Sequence, residues 1–527
     1  MLRKPKRKAL IIALDGETVD SIKRWDNYKD LPRISRIFRN NLIGKSKSVI
    51  PPLSPCAWTS ILTGKNPGKH GIYGYDVRKE GEYISNFAVN SGLIRTDGIW
   101  DIMEAYGKKS IIMNFHPTYP PFKTINGIMI SGLTTPPGVS DFVQPAGLME
   151  LLKRTGYRIF PKNLKDKDEY IETIRKRGET ARLLMKGHEW DLFAVLFTCL
   201  ESAYDIFWND NDAMSEIARA TDEEVEKIIE TAEKDKTSDT SIFVVSDHGV
   251  ERQKNTVLIN NILMNMGMMT LKKGSKKSRM LSRVGLTRDR AVKLSEKLGI
   301  KRILKKRISL RAQGALSYSS KPVMSHVDWS KTKAFSTASG KIFVNLRGRE
   351  PEGIVEPEEK EEVIRQIEER LLNITDPESG QRIRGEIYLG KDTYSGSEAG
   401  NGPDMVFWPS NYAPETWNLK HNQIGPPIGL SKHSLYGIFM AYNENNIKPT
   451  TISGINITDI LPTVLYSMGI PVPGDIDGKV LDIFRDGIEK EKERSGTEKQ
   501  IKKQERVFTK EEEEQMKERL RGLGYIG

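Results

Sequence analysis

The 527-residue chain holds only two cysteines and seven histidines. Cys56 and Cys199 cannot build a disulfide framework, so the sequence predicts a protein of a reducing, cytoplasmic compartment. Long apolar runs are missing as well, and nothing approaches the ~18 residues that a bilayer-spanning helix requires. The basic start is followed by an apolar stretch, Ala9 to Leu14, that Asp15 and Gly16 cut at once. That stretch is too short for the apolar core of an export signal and reads as a buried strand. Glycine (44) and proline (26) fall short of a collagen-like or low-complexity composition. What is present, 37% hydrophobic and 29% charged residues, suits a soluble globular chain with a sizeable core.

Lys and Arg number 82 against 70 Asp and Glu, a net charge of +12. The excess is local. Lys272 to Arg311 contains 16 basic residues and only Asp289 and Glu296, a local +14, so the rest of the chain carries −2. A function for the whole is therefore not to be read from the total.

Short apolar runs alternate with helical patterns. Ala9 to Leu14, Ser110 to Phe115, Gly127 to Gly132, Asp191 to Phe197 and Ser241 to Ser246 are apolar without alternation, as strands covered on both faces are. Helical periodicity lies between them around Leu31 to Arg39, Asp168 to Lys186 and Asp212 to Glu233. The pattern predicts an α/β/α sandwich on a mostly parallel sheet. In such sheets ligands gather at the carboxyl ends of strands, and there stand Asp15, the stretch toward Glu201 and Asp205, and Ser246-Asp247-His248-Gly249. The expected organisation is a core from 1 to 270, a basic insertion from 271 to 326, a second core part from 327 to 486, and a charged tail from 487 to 527 with a short, loosely docked helix at Glu511 to Leu520.

Pro51 to Tyr75 carries the sharpest local signal. Ser54-Pro55 is expected to cap a helix that stops at Gly64. The hydroxyl is then either only a cap or a nucleophile in the positive field of a helix N-terminus, and position alone does not choose. The order Asp15, Ser54, Asp247-His248 and a late His433 in LSKHSLYG resembles the alkaline phosphatase superfamily. Pro51 to Ile72, with Thr63-Gly64 and Pro67…His70-Gly71-Ile72, is similar to the nucleophile segment of its type I phosphodiesterase and nucleotide pyrophosphatase branch. Pro117 to Pro121, Ser131 to Pro136, Val327 to Phe335, Asn345 to Val355 and Asp459 to Gly478 extend the likeness, closest to that branch's uncharacterised prokaryotic phosphohydrolases.

The resemblance implies Ser54 as nucleophile and two divalent ions about 3.5 to 4 Å apart. Asp15, Ser54, Asp247 and His248 would hold one ion; Glu201, Asp205 and His433 would hold the second. Glu201 and Asp205 stand where the branch usually has Asp and His. Four carboxylates and two imidazoles make a hard ligand set, which shifts preference toward Mn²⁺ or Mg²⁺ and leaves Zn²⁺ open. The implied activity is cleavage of phosphodiester or pyrophosphate bonds through a phosphoseryl intermediate. The alternatives are a phosphomonoesterase or phosphotransferase, and a degenerate member that only binds a phosphorylated or lipid ligand. Cys56 lacks the Cys-x-Pro-x-Arg context of a sulfatase and is expected to be a small buried helix residue. Diester-cleaving relatives often have Asn just after His-Gly-Ile; here Tyr73-Gly74-Tyr75 offers hydroxyls instead. His70, His116, His188, His326 and His421 are expected to be structural or on the surface.

Such proteins commonly insert a cap where the basic segment lies, and Lys272 to Arg311 is expected to be a helical cap with solvated lysines. A collar attracting phosphorylated substrates and an amphipathic surface for anionic lipid are the functional readings. The segment has no Phe, Tyr or Trp for base stacking, so no nucleic acid partner is predicted.

Overall fold

The computed structural model describes residues 5–27, 32–34, 42–78, 82–83, 87–123, 125–272, 324–416, 422–485 and 509–522. The basic segment, apart from Lys272, and most of the predicted helix at Leu31 to Arg39 lie outside them.

Nine strands form the central sheet: β1 (Lys6–Leu14), β2 (Leu42–Lys47), β3 (Ser110–Met113), β4 (Gly127–Ile130), β5 (Val143–Gln144), β6 (Leu192–Phe197), β7 (Ser238–Val245), β8 (Tyr436–Tyr442) and β9 (Ile455–Asn456). Their order is β9-β2-β8-β7-β1-β6-β3-β4-β5. β1 runs parallel to both β6 and β7, and β3 runs parallel to both β6 and β4. β8 is antiparallel to β2 and β7, and β5 is antiparallel to β4. The unbroken apolarity of Ala9 to Leu14 has a direct cause: Ala9, Ile11 and Ala13 enter the core on one face while Leu10, Ile12 and Leu14 enter the core on the other. Each such buried aliphatic side chain contributes on the order of 1.5–3 kcal/mol.

One face carries α2 (Ser54–Thr63) and α7 (Ile460–Ser467); the other carries α1 (Val19–Asn27), α3 (Lys167–Gly187) and α5 (Asn211–Glu233). α4 (Cys199–Phe207) follows β6, and α6 (Lys360–Leu372) packs on a separate four-stranded antiparallel sheet of Ala334–Ser336, Lys341–Val344, Gly385–Leu389 and Met405–Pro409. Lys341–Val344, an apolar stretch like those of the central strands, thus joins this smaller sheet and not the central one. The C-terminal helix α8 (Lys510–Gly522) docks more firmly than its charge suggests. Met516 is fully buried in the main core, and Arg519 Nη1 donates to Thr135 O at 2.9 Å. Among the described residues no helix is long and apolar enough to cross a membrane.

Candidate functional site

β1 and β7 are adjacent and parallel, so their carboxyl ends bring Asp15 and Asp247-His248 to one point. Gly16 makes the turn after β1 with φ of 73°, and its N–H lies 3.4 Å from Asp247 Oδ1. A side chain at Gly16 would meet Glu201 and Val250 within 3.0 Å, so the turn is also a close approach. Asp15, Asp247 and His248 are buried and offer three donor atoms within 4.8 Å of one another. His248 Nε2 is 3.2 Å from Asp247 Oδ2 and 3.8 Å from Asp15 Oδ1.

Ser54 joins this group from α2. The structure corrects its expected capping role: Leu53 is the N-cap, without a side-chain cap bond, and Ser54 is the first helical residue with Pro55 behind it. Relieved of capping, the Ser54 hydroxyl lies 3.2 Å from His248 Nε2. α2 is buried along its whole length and ends at Gly64 in the left-handed region, whose N–H bonds Ser60 O. Cys56, two residues along, is buried, and burial pushes its thiol far above the ordinary range.

His433 arrives on a short strand, Ser431–Ser434, that pairs antiparallel with Gly249–Arg252 and sets Val250 opposite His433. Its ring stacks on that of His248 at 3.9 Å and 19°. His433 Nε2 is 3.1 Å from Glu201 Oε1, and its Nδ1 is 2.9 Å from Pro52 O. Glu201 and Asp205 share one face of α4, a turn apart. Asp205 accepts from Ser431 Oγ. The structure therefore unites Glu201 with His433 and sets Asp205 beside them on Ser431. Among the described residues only Asp15, Asp247 and His248 converge as three donors.

Burial, then the nearby His433, lowers the His248 pKa to about 3, leaving a neutral imidazole at physiological pH. Burial and the neighbouring Asp15 carboxylate raise Asp247 well above the usual carboxylate range. Burial alone would raise Asp15 too, yet His116 and His248 hold it below its ordinary value. Burial would lower His433, but Glu201 holds it above. Burial and Glu201 push Asp205 up to about 6. Asp15 Oδ1 and Asp247 Oδ2 are buried without hydrogen-bond partners. Two crowded carboxylates beside a neutral imidazole are costly unless a cation neutralises them, and this oxygen-rich donor set fits a divalent ion.

Other expectations divide. His70 is structural, with Nε2 2.8 Å from Ser60 Oγ and Nδ1 accepting from Ile72 N. Tyr73 donates to Glu398 O, away from the site. Tyr75 is buried with its hydroxyl near Ser54 and close to Glu201, Asp15 and Asp247. His116 is neither on the surface nor held by the scaffold: it is buried, with Nε2 3.6 Å from Asp15 Oδ2. Its place just beyond the end of β3, at the carboxyl edge of the sheet, is the signal that identifies it. Glu17 is a further residue not singled out from sequence. It accepts from Ser21 Oγ at 2.6 Å and Tyr204 OH at 3.3 Å, tying the turn after Asp15 to the helix that bears Glu201. His421 lies outside the described residues.

The sequence model of the type I phosphodiesterase / nucleotide pyrophosphatase family matches residues 9–445. No curated protein matches the chain. Phosphonoacetate hydrolase from Sinorhizobium meliloti, solved with phosphonoformate, aligns at 12% identity and TM-score 0.55, over 88% of this chain and 95% of that one. Human ectonucleotide pyrophosphatase/phosphodiesterase 5 aligns at 13% identity and TM-score 0.49, over 91% of this chain and 100% of that one. The inactive murine counterpart with AMP aligns at 12% and 0.48, over 88% and 95%. The hydrolase likeness is one of fold, and substrate does not transfer at such identity. With its alkaline-phosphatase-like α/β/α fold, the chain belongs to the type I phosphodiesterase / nucleotide pyrophosphatase family and is a phosphoric ester hydrolase.

Proposed function

We propose that the chain cleaves phosphodiester or pyrophosphate bonds by attack of Ser54 on phosphorus. The observation that carries this reading is the Ser54 hydroxyl on the first turn of a buried helix, 3.2 Å from an imidazole within a cluster of buried carboxylates. Asp15, Ser54, Asp247 and His248 would hold one divalent ion, and Glu201, Asp205 and His433 the other. Mn²⁺, Zn²⁺ or Mg²⁺ there supplies positive charge that lowers the serine pKa and neutralises phosphoryl oxygens.

Ser54 Oγ gives up its proton to solvent and forms the new P–O bond as the P–O bond to the leaving oxygen breaks, giving a phosphoserine that water hydrolyses. Burial, with Glu201 next, holds the Tyr75 phenol far above its ordinary pKa, so it stays protonated and donates to a phosphoryl oxygen. Its neighbours favour a phosphorylated small molecule or lipid headgroup as substrate: the site is carboxylate-lined and cation-seeking, while a +14 segment elsewhere attracts anions. The two free, buried cysteines suit a reducing cytoplasm.

The test is metal analysis with two chromogenic esters. Two equivalents of metal per chain, turnover of bis(p-nitrophenyl) phosphate above that of p-nitrophenyl phosphate, and loss of turnover in Ser54→Ala with metal retained would support the reading. Faster monoester turnover would reassign the chain as a phosphomonoesterase. One equivalent or none, with neither ester cleaved under Mn²⁺ or Zn²⁺, would leave a non-catalytic binder.

A further inference from the structure

We infer that His116 is a positioning residue for the cation site: its Nε2–H is directed at Asp15 Oδ2 and turns the other oxygen, Oδ1, toward Asp247 and His248. The inference rests on the metal-dependent reading above. The two carboxylate oxygens of Asp15 face different partners. Oδ2 is 3.6 Å from His116 Nε2, and Oδ1 is 3.8 Å from His248 Nε2. His116 is 1% exposed, and its Nδ1 has no hydrogen-bond partner. No scaffold hydrogen bond therefore accounts for the ring's orientation, and Asp15 is the polar group it faces. At 3.6 Å the contact is a dipole aimed at a charge and not yet a hydrogen bond. Contacts of this kind commonly tighten once the site is loaded.

The segment that carries His116 is well fixed. Asn114 turns the chain with φ of 69° and its Nδ2 donates to Leu196 O at 3.2 Å. The Phe115 ring meets Trp58 of α2 edge-on at 5.3 Å. Thr118 Oγ1 donates to Phe115 O, and Ser131 Oγ donates to Thr118 O, each at 2.7 Å. The imidazole is thus presented to Asp15 from a braced loop. Partners of this sort set which ligand atom faces the metal.

Calorimetric titration of the metal-free chain with Mn²⁺ tests this, using wild type, His116→Leu and His116→Gln. His116→Leu fills the space without a donor and should bind Mn²⁺ about 10–100-fold more weakly. His116→Gln keeps an N–H and should stay within a few-fold of wild type. The inference fails if His116→Leu binds like wild type, or if His116→Gln loses as much as His116→Leu. A wild-type chain that binds no Mn²⁺ would instead overturn the metal reading itself. Should His116→Leu not fold, ¹⁵N-histidine spectra of wild type decide: the signal missing in His116→Gln should be the Nε2–H tautomer, and an Nδ1–H tautomer would overturn the assignment.

Discussion

Ser54 and Cys56 stand two residues apart on α2, and the sulfur is intrinsically the better nucleophile. Geometry reverses that order. Cys56 is enclosed, and burial keeps its thiol protonated, whereas Ser54 Oγ faces His248 and Tyr75. Cys56→Ala should therefore leave kcat/KM nearly unchanged. Tyr75→Phe should lower kcat by about 10²–10³-fold if its hydroxyl meets charge that develops at phosphorus. Steady-state kinetics on both variants check this, and an unchanged Tyr75→Phe would remove that role. Asp15, Asp247 and His248 were legible from sequence because polar residues abruptly ended apolar strands. That Ser54 is the first helical residue and not the cap was not, since the two differ by a single position; its part as nucleophile was implied only by the resemblance. His116 escaped for another reason: it stands three residues past the end of β3 and before a proline, so its place hints at the sheet edge but nothing local shows that it is buried beside Asp15.

At the scale of elements, the smaller sheet is pinned by a buried charge network. Arg349 makes two bonds to Asp404, at 2.6 and 2.8 Å, and Arg349 Nε donates to Glu350 at 2.9 Å. Lys360 of α6 reaches Asp404 at 2.8 Å, and Val344 N donates to it at 2.7 Å. Arg78, from the loop after the nucleophile segment, completes the network through Glu350. Asp404→Ala would remove the buried carboxylate shared by the half-buried Arg349 and Lys360 and should cost up to about 3 kcal/mol in denaturant unfolding. Removing the exposed pair Lys391–Glu361 should cost far less, since solvent already screens it. If the two losses proved equal, the buried network would have no special weight. Strands β1, β3, β4, β6 and β7 were readable because each is apolar on both faces, whereas β2 was not, since its Gly44-Lys45-Ser46-Lys47 breaks the apolar run. The smaller sheet was not, because Lys341–Val344 has the same apolar run as a central strand and nothing local says which sheet it joins.

For the whole molecule, the near-neutral body and the +14 segment predict a salt effect that is independent of how that segment folds. Screening lengths are about 10 Å at 0.1 M salt, so kcat/KM for an anionic diester should fall as ionic strength rises. Replacing lysines between 272 and 311 by glutamine should flatten that dependence, and an equally steep slope in the variant would deny the segment any part in attracting substrate. The order of the central sheet has a consequence in time. Within the central sheet β2 is joined to β7 through β8, which lies between them. On a ribosome, about 190 residues separate the end of β7 from the start of β8. At translation speeds of about 5–20 residues per second, β7 would wait roughly 10–40 s with one edge unpaired. Through that interval the nascent chain presents an open apolar edge of the kind that recruits other strands, and its synthesis should depend on chaperones that shield it.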